Sequence, residues 1–364
     1  MMTPVPTKCT DIRTYLWETK TDLTLHPASI FSFSIIYTFF ITLGVFGNLL
    51  VVISVCKHKS LQSVRNIFIV SLSCSDIVVS IVSGSVTPIT AFSKIWLFGV
   101  HLCHLLPLIQ GTSLCFSTLT LTAISIDRFI LIVYPTKKPI QKNHAIRMIF
   151  FNCTLALALS LPMPIKQKLV TYGNFCGQFC TEDWQDNLHM RSVYGTVVFI
   201  IQFVIPFIVI AFCYTAISLK LRRGILVRGS QKELMTDQRK SALQRRIRTN
   251  RMLMAMVGVF FCCWLPSVVF NFLRDYSWLP NFVSSQEYLF GVVTHCISMS
   301  STVCNPCLYA LCNEQFRAAF TILLQSVKGS IGVAKNDPSC SQLMRPNFDQ
   351  STRRSFVSAV PSSI

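Results

Sequence analysis

The sequence predicts an all-α membrane protein: a seven-transmembrane helix bundle followed by a short amphipathic eighth helix on the cytoplasmic face. Three observations carry this. The chain is 51% hydrophobic and only 13% charged, too oily for a soluble domain of 364 residues. Stretches without Asp, Glu, Lys or Arg cover 27–56, 95–126, 148–165, 192–219, 252–273 and 288–313, and a further one, 66–93, is interrupted by Asp76 alone. Each approaches or exceeds the ~20 residues a helix needs to cross ~30 Å of hydrocarbon. The third observation is charge asymmetry. Lys8, Arg13, Lys20, Lys94, Lys166, Lys168, Arg191 and Arg274 fall on one side of seven crossings, and all the others among the 33 Lys and Arg fall on the opposite side. Positive charge collects in the cytoplasm, so an outside amino terminus and a cytoplasmic carboxyl terminus are expected.

The amino-terminal arm, residues 1–28, is mixed polar without a strong pattern. The apolar run after it is too long for a signal-peptide core and lacks a small-residue cleavage site, so the arm is expected to be retained. Residues 29–326 form the bundle. Span one reads GVFGNLLVV with Asn48 inside it, span two SLSCSDIVV with Asp76, span three LCFSTLT with Ser117 and then TAISIDRFILIVYP, where Asp127 and Arg128 stand side by side. Charges at membrane depth are expensive, so a functional role for this pair outweighs a purely stabilising one. Span four holds Asn152-Cys153-Thr154, a glycosylation sequon that a span would bury. Spans six and seven, FFCCWLPSVVF and CNPCLYA, contain Pro266 and Pro306, each of which removes a backbone hydrogen bond and kinks its helix.

Three segments lie outside the spans. The loop at about 220–250 is basic and extends two helices at its edges. Residues 313–325 place Phe316, Phe320, Ile322 and Leu323 so that a short helix can lie along the membrane face. The tail, 327–364, is Ser-rich and expected to be disordered. The net charge of +18 belongs to these flanks, and points to anionic lipid and a cytoplasmic partner rather than to nucleic acid. Of 16 cysteines, only Cys9, Cys103, Cys176 and Cys180 face the oxidising side; the others, such as Cys262, Cys263 and Cys296, lie mostly in spans, where a thiol packs as a small hydrophobe. No metal-ligand spacing emerges, with one exception of a different kind. Asp76, Ser117 and Asn305 can converge inside a bundle, and a buried carboxylate needs a cation, a proton or several donors. An allosteric sodium ion and a protonated hydrogen-bonded cluster are the two readings, and no other cofactor is expected.

The set GN in span one, SLSCSD in span two, Cys103 and DRF in span three, CWLP in span six and NPCLY in span seven resembles the rhodopsin-like G-protein-coupled receptors over about residues 30–325. The resemblance implies a plasma-membrane receptor, not an enzyme, with Arg128 held inactive by Asp127 and by neighbours on span six, and swinging toward Tyr214 and Tyr309 as span six moves outward on activation. Trp264 and Pro266, Asn305 and Pro306 are the matching switch residues of spans six and seven. A heterotrimeric G protein is the implied partner, with arrestin and receptor kinases acting through the Ser-rich tail. The chain departs from the family at Phe129, where many relatives have Tyr, and at Cys153, where span four usually carries Trp. A disulfide between Cys103 and Cys180 is expected, with Cys176 as the competing partner and Cys9 able to join Cys176.

By the same resemblance an amine ligand is disfavoured, because Gln110 stands where aminergic relatives have a carboxylate, and light sensing is excluded, because Met299 stands where opsins have lysine. Thr87, Gln110, Gln202, Asn271, Asp275 and His295, with CTEDW at 180–184 and HCISMSSTVCNPCLY in span seven, resemble the neuropeptide Y and neuropeptide F receptor branch. That branch takes peptides ending in Arg and an amidated aromatic residue. The residues matching Gln110 and Asn271 engage the amidated end, and Asp275 matches the acid that pairs with the ligand arginine. Interior hydrogen bonds for Gln110, Thr87 and His295, and an Asp275–Arg274 pair, are the structural alternatives. Short FMRFamide-like or tachykinin-like peptides are the alternative ligands. A transporter or intramembrane enzyme is a remote one, lacking repeat symmetry or apposed carboxylates.

Overall fold

The computed structural model describes residues 9–136, 140–184, 188–229 and 237–332. The arm, patternless by sequence, contains a helix. In α1, Ile12–Lys20, the Asp11 side chain accepts the Arg13 N–H, and Thr21 closes the far end in the left-handed region. Asp22 then caps a single turn, Leu23–Leu25, and His26 caps α2, Pro27–Lys57, whose proline occupies the first turn where its missing N–H costs nothing.

Seven long helices follow the predicted spans: α2; α3, Val64–Ser93; α4, Gly99–Val133; α5, Lys142–Ser160; the pair α7, Leu188–Phe199, and α8, Ile205–Gly229; α9, Asp237–Asp275; and α11, Glu287–Cys312. Six of the seven spans are long and apolar enough to cross a membrane by composition, among the described residues. Span seven, α11, is 26 residues long and carries His295, Ser298, Ser301, Thr302 and Asn305, all buried against its neighbours α2, α3 and α9. Large apolar side chains point the other way: Phe31, Phe39, Phe46, Phe150, Phe151, Phe207 and Leu311 are exposed. Polar groups inward and hydrocarbon outward is the distribution a lipid solvent selects.

Close packing of α2 depends on glycine. A Cβ on Gly47 would lie 2.8 Å from Pro306 Cγ, and one on Gly44 2.7 Å from Ser80 Oγ and 2.8 Å from Thr302 Oγ1. Between α7 and α8 the chain makes a π-helical turn, Ile200–Val204, in which the Ile205 N–H reaches back to the Ile200 carbonyl. Pro206 follows it, so the Gln202 carbonyl has no N–H four residues on to pair with. The turn seats Gln202 as a buried side chain.

After the short α6, Pro162–Lys166, strands β1, Gln167–Val170, and β2, Phe179–Glu182, form an antiparallel hairpin, and Cys180 is bonded to Cys103 at the start of α4. Cys9 is bonded to Cys176, and Thr10 bridges Phe175, so the arm is fastened to the hairpin. Its other end is fastened to the bundle. Lys94 Nζ lies 2.7 Å from Asp22 Oδ2, donates to Thr24 at 2.7 Å and sits 3.7 Å from the Tyr288 ring centre, while the Gln286 amide bonds main-chain groups of Lys20, Thr21 and Leu23. A four-residue helix, α10, Asn281–Ser284, precedes α11.

Two compact units are distinguished, Met1–Phe320 and Thr321–Ile364. The last helix, α12, runs Glu314–Gly332, longer than the expected 313–325, and all the described residues of the second unit belong to it. The rest of the predicted tail, 333–364, and residues 230–236 of the basic loop lie outside the described residues.

Candidate functional site

A cavity of about 630 Å³ opens at the hairpin end of the bundle, and Thr87, Gln110, Gln202, Asn271, Asp275 and His295 all line it. Gln202 is brought there by the π turn. Trp264 lies eleven residues before Asp275, about three turns deeper on α9, and also lines it. The amides thus share a cleft whose lower wall is aromatic and whose rim is charged.

Asp275 is the last residue of α9 and pairs with Arg191, whose Nη2 lies 3.1 Å from Asp275 Oδ1. The adjacent Arg274, the partner offered by the sequence, is not the one used. Successive residues of a helix point in different directions, whereas Arg191 approaches from the facing end of α7. Arg191 Nε also lies 3.1 Å from Glu182 Oε2, an oxygen that accepts the Trp184 indole N–H at 3.2 Å. Ser192 Oγ donates to the Asp275 carbonyl at 2.8 Å, and Thr196 bonds the Tyr276 hydroxyl at 2.7 Å. The hairpin-side ends of spans five and six are therefore stitched together. His295 keeps both readings. It lines the cavity, yet it is buried and its Nδ1 meets the Tyr37 hydroxyl at 2.9 Å.

Sequence reasoning missed Glu182 as an individual residue, counted Arg191 only as a charge, and passed over Tyr37, Tyr288, Asp22 and the role of Lys94. The CTEDW run was the available signal for Glu182. The others had none, because each acts across elements.

At mid-depth Asn305 Nδ2 donates to Asp76 Oδ2 at 3.0 Å, and Asn48 donates to the Gly44 and Thr302 carbonyls, both at 2.8 Å. Ser117 is buried on α4, with no hydrogen bond joining it to either Asp76 or Asn305 among the described residues. Ser73 and Ser80, one turn before and one after Asp76, have buried hydroxyls without a hydrogen-bond partner, as does Asn48 Oδ1. Oxygen donors of this kind, with the Asp76 carboxylate, suit a small hard cation.

At the opposite end Arg128 donates from Nε and Nη2 to Asp127 Oδ2, at 3.0 and 2.5 Å. Both line a cavity of about 1290 Å³ together with Arg65, Arg251, Met252 and Asn313. No ion pair joins Arg128 to span six among the described residues; the span-six charge pair there is Arg248 with Glu314 of α12. Tyr214 and Tyr309 are buried nearby in the same core, Tyr309 stacked on Phe316 at 5.4 Å between ring centres. Trp264 packs on Phe260, and Pro266 and Pro306 interrupt α9 and α11.

A bundle of seven spans, with an open polar cleft at one end and a charged Asp-Arg cavity at the other, defines a membrane receptor. Residues 47–309 match the model of the rhodopsin family of 7 transmembrane receptors, and the chain belongs to that family. It is a multi-pass membrane protein and a receptor rather than an enzyme. It is 34% identical to neuropeptide receptor npr-1 of Caenorhabditis elegans, over 85% of this chain and 75% of that one. It is 34% identical to human neuropeptide Y receptor type 2, over 78% and 74%, and 32% identical to the Drosophila melanogaster neuropeptide F receptor, over 79% and 61%. The fold matches squid rhodopsin with a TM-score of 0.69, covering 85% of this chain and 89% of that chain at 24% identity.

Proposed function

We propose that this receptor binds a neuropeptide ending in arginine and an amidated aromatic residue in the cleft at the hairpin end, and that binding drives nucleotide exchange on a heterotrimeric G protein at the Arg128 end. The hairpin end is extracellular in this reading and the Arg128 end cytoplasmic, with the basic flanks against anionic lipid. The observation that carries it is the convergence of Gln110, Gln202 and Asn271 with two carboxylates, Glu182 and Asp275, on one cavity. Neutral amides suit a carboxamide terminus, and rim acids suit a guanidinium. The names of the neuropeptide receptors to which the chain is similar support the ligand class.

The peptide terminus reaches toward Gln110, Gln202 and Asn271 above Trp264, and its arginine meets Asp275 and Glu182. A shift of α9 about Pro266 then carries its inner end outward, and Arg128 leaves Asp127 for Tyr214 and Tyr309. Asp76, with Asn305, Ser117 and the hydroxyls of Ser73 and Ser80, would hold a sodium ion, which neutralises the carboxylate and favours the resting packing. Arrestin and receptor kinases act on the Ser-rich tail.

The test is nucleotide exchange in cells expressing the receptor, challenged with amidated peptides and their free-acid forms. Exchange restricted to amidated peptides is expected; equal potency of the acid forms would overturn the reading. Truncating one partner of a close, partly desolvated pair costs about 2 kcal/mol or more, so Asp275→Ala should weaken an arginine peptide by roughly 30-fold or more. A citrulline analogue should lose little further at that variant. The pairing of Asp275 with Arg191 favours one second reading, a neutral amidated peptide that leaves both acids alone, for which citrulline would change nothing at the parent receptor.

A further inference from the structure

We propose that Arg191 is the resident occupant of the guanidinium site formed by Glu182 and Asp275, and that a peptide arginine binds by displacing it. This rests on the arginine-peptide reading above.

Three elements that are distant in sequence meet at this point. Glu182 ends β2, Arg191 lies in the first turn of α7, and Asp275 ends α9. One guanidinium spans both acids, Nε to Glu182 and Nη2 to Asp275, each at 3.1 Å. This edge-on bridging is what a ligand arginine would itself supply.

Each acid also has an anchor besides Arg191. Glu182 is held by the Trp184 indole, and the Asp275 main chain by the Ser192 hydroxyl. Gly195, one turn after Arg191, leaves room for the acid: a Cβ there would lie 2.8 Å from Asp275 Oδ2. Glu182 and the Asp275 main chain therefore keep these anchors when the arginine leaves.

Arg191 can leave. Its side chain is 24% exposed and lines the mouth of the cavity, at the end of a long flexible stem. Two local cations are committed elsewhere, Lys168 to Asp183 at 2.5 Å and Lys166 to the Trp184 ring at 5.5 Å, while Arg274 lines the same cavity and acts on the Asp275 carboxylate through space. Arg274, adjacent to Asp275, makes no ion pair with it among the described residues. Entry of a ligand arginine exchanges one guanidinium for another, so the site is never emptied of positive charge. The resident side chain lowers affinity for every cationic ligand and leaves neutral ones untouched.

The experiment is equilibrium binding, to membranes carrying the full receptor, of a synthetic peptide ending in Arg-Phe-amide and of the same peptide with citrulline in place of arginine. At Arg191→Gln the arginine peptide should bind about fivefold tighter while the citrulline peptide is unchanged, since a part-exposed pair is worth a factor of up to about five. Arg191→Lys, which keeps the charge but cannot bridge two acids, should move affinity the same way by less, and serves if the glutamine variant does not reach the membrane. Equal weakening of both peptides at either variant would make Arg191 a support for the cleft and overturn the proposal. If the parent prefers arginine over citrulline and neither variant gains, displacement is wrong while the arginine-peptide reading stands. If the parent does not distinguish the two peptides, both fall.

Discussion

Asp127 and Arg128 are adjacent in sequence, yet the arginine folds back on its neighbour through two hydrogen bonds to one carboxylate oxygen. That ties the arginine to the wall of the cavity it lines. Asp127→Asn should raise ligand-free nucleotide exchange about fivefold or more, within the usual range of such couplings. Arg128→Ala should abolish exchange while leaving peptide binding at the surface. Equal loss of surface expression in both variants would assign the pair to stability alone. Asp22 is the second residue with a readable charge state. Burial would raise its carboxyl, but the Lys94 and Thr24 hydrogen bonds outweigh this and hold it below the ordinary carboxylate value. The native group thus binds its proton more weakly than the unfolded one. Its contribution is present above the unfolded value of about 3.9 and is lost as pH falls through the lowered native value. Thermal unfolding of solubilised receptor between about pH 5 and 3 should lose stability, with a shallower loss in Asp22→Asn. The same slope in both proteins would remove Asp22 from the account.

At the scale of elements, helix approach is set by what each helix lacks. Gly47 admits the ring of Pro306, and a rigid ring against a new methyl has no rotamer into which it can retreat. Gly47→Ala should destabilise the receptor by about 1–3 kcal/mol, measured as a lowered melting temperature. An unchanged melting temperature would mean that α2 shifts freely. The arm is held by a different device. Lys94 and Asp22 are almost fully buried as a pair, with side chains 2% and 4% exposed. Removing one partner leaves an uncompensated buried charge, so Lys94→Met should cost about 3–5 kcal/mol, whereas the joint change to Met and Leu should recover most of it. Additive losses in that double variant would show that the two charges act separately.

For the whole molecule, polar groups lie at three depths, in the cleft at the hairpin end, at Asp76 and Asn305, and at Arg128, and a ligand at one end must change packing between them to be felt at the other. If sodium occupies the Asp76 cluster in the resting packing, agonist affinity should fall as sodium rises, and Asp76→Asn should abolish that dependence. A flat response in the parent would remove the ion.

The spans and their order were legible in the sequence, because a helix needs only local information: an uncharged run of sufficient length, and polar residues that hydrocarbon would reject. Thr87, Gln110, Gln202, Asn271, Asp275 and His295 were singled out by the receptor resemblance, and all six line one cavity. What the tertiary structure alone decided is partnership. Asp275 chose Arg191 over its neighbour Arg274, His295 met Tyr37, and Lys94 at the end of α3 took Asp22 from an arm with no pattern of its own. A linear sequence shows which charges must be neutralised. Which ones meet depends on the rotation and depth of each helix in the bundle, and these are fixed by contacts such as Gly47 on Pro306 and by turns such as the π turn before Pro206, whose effects appear only when all the helices pack at once.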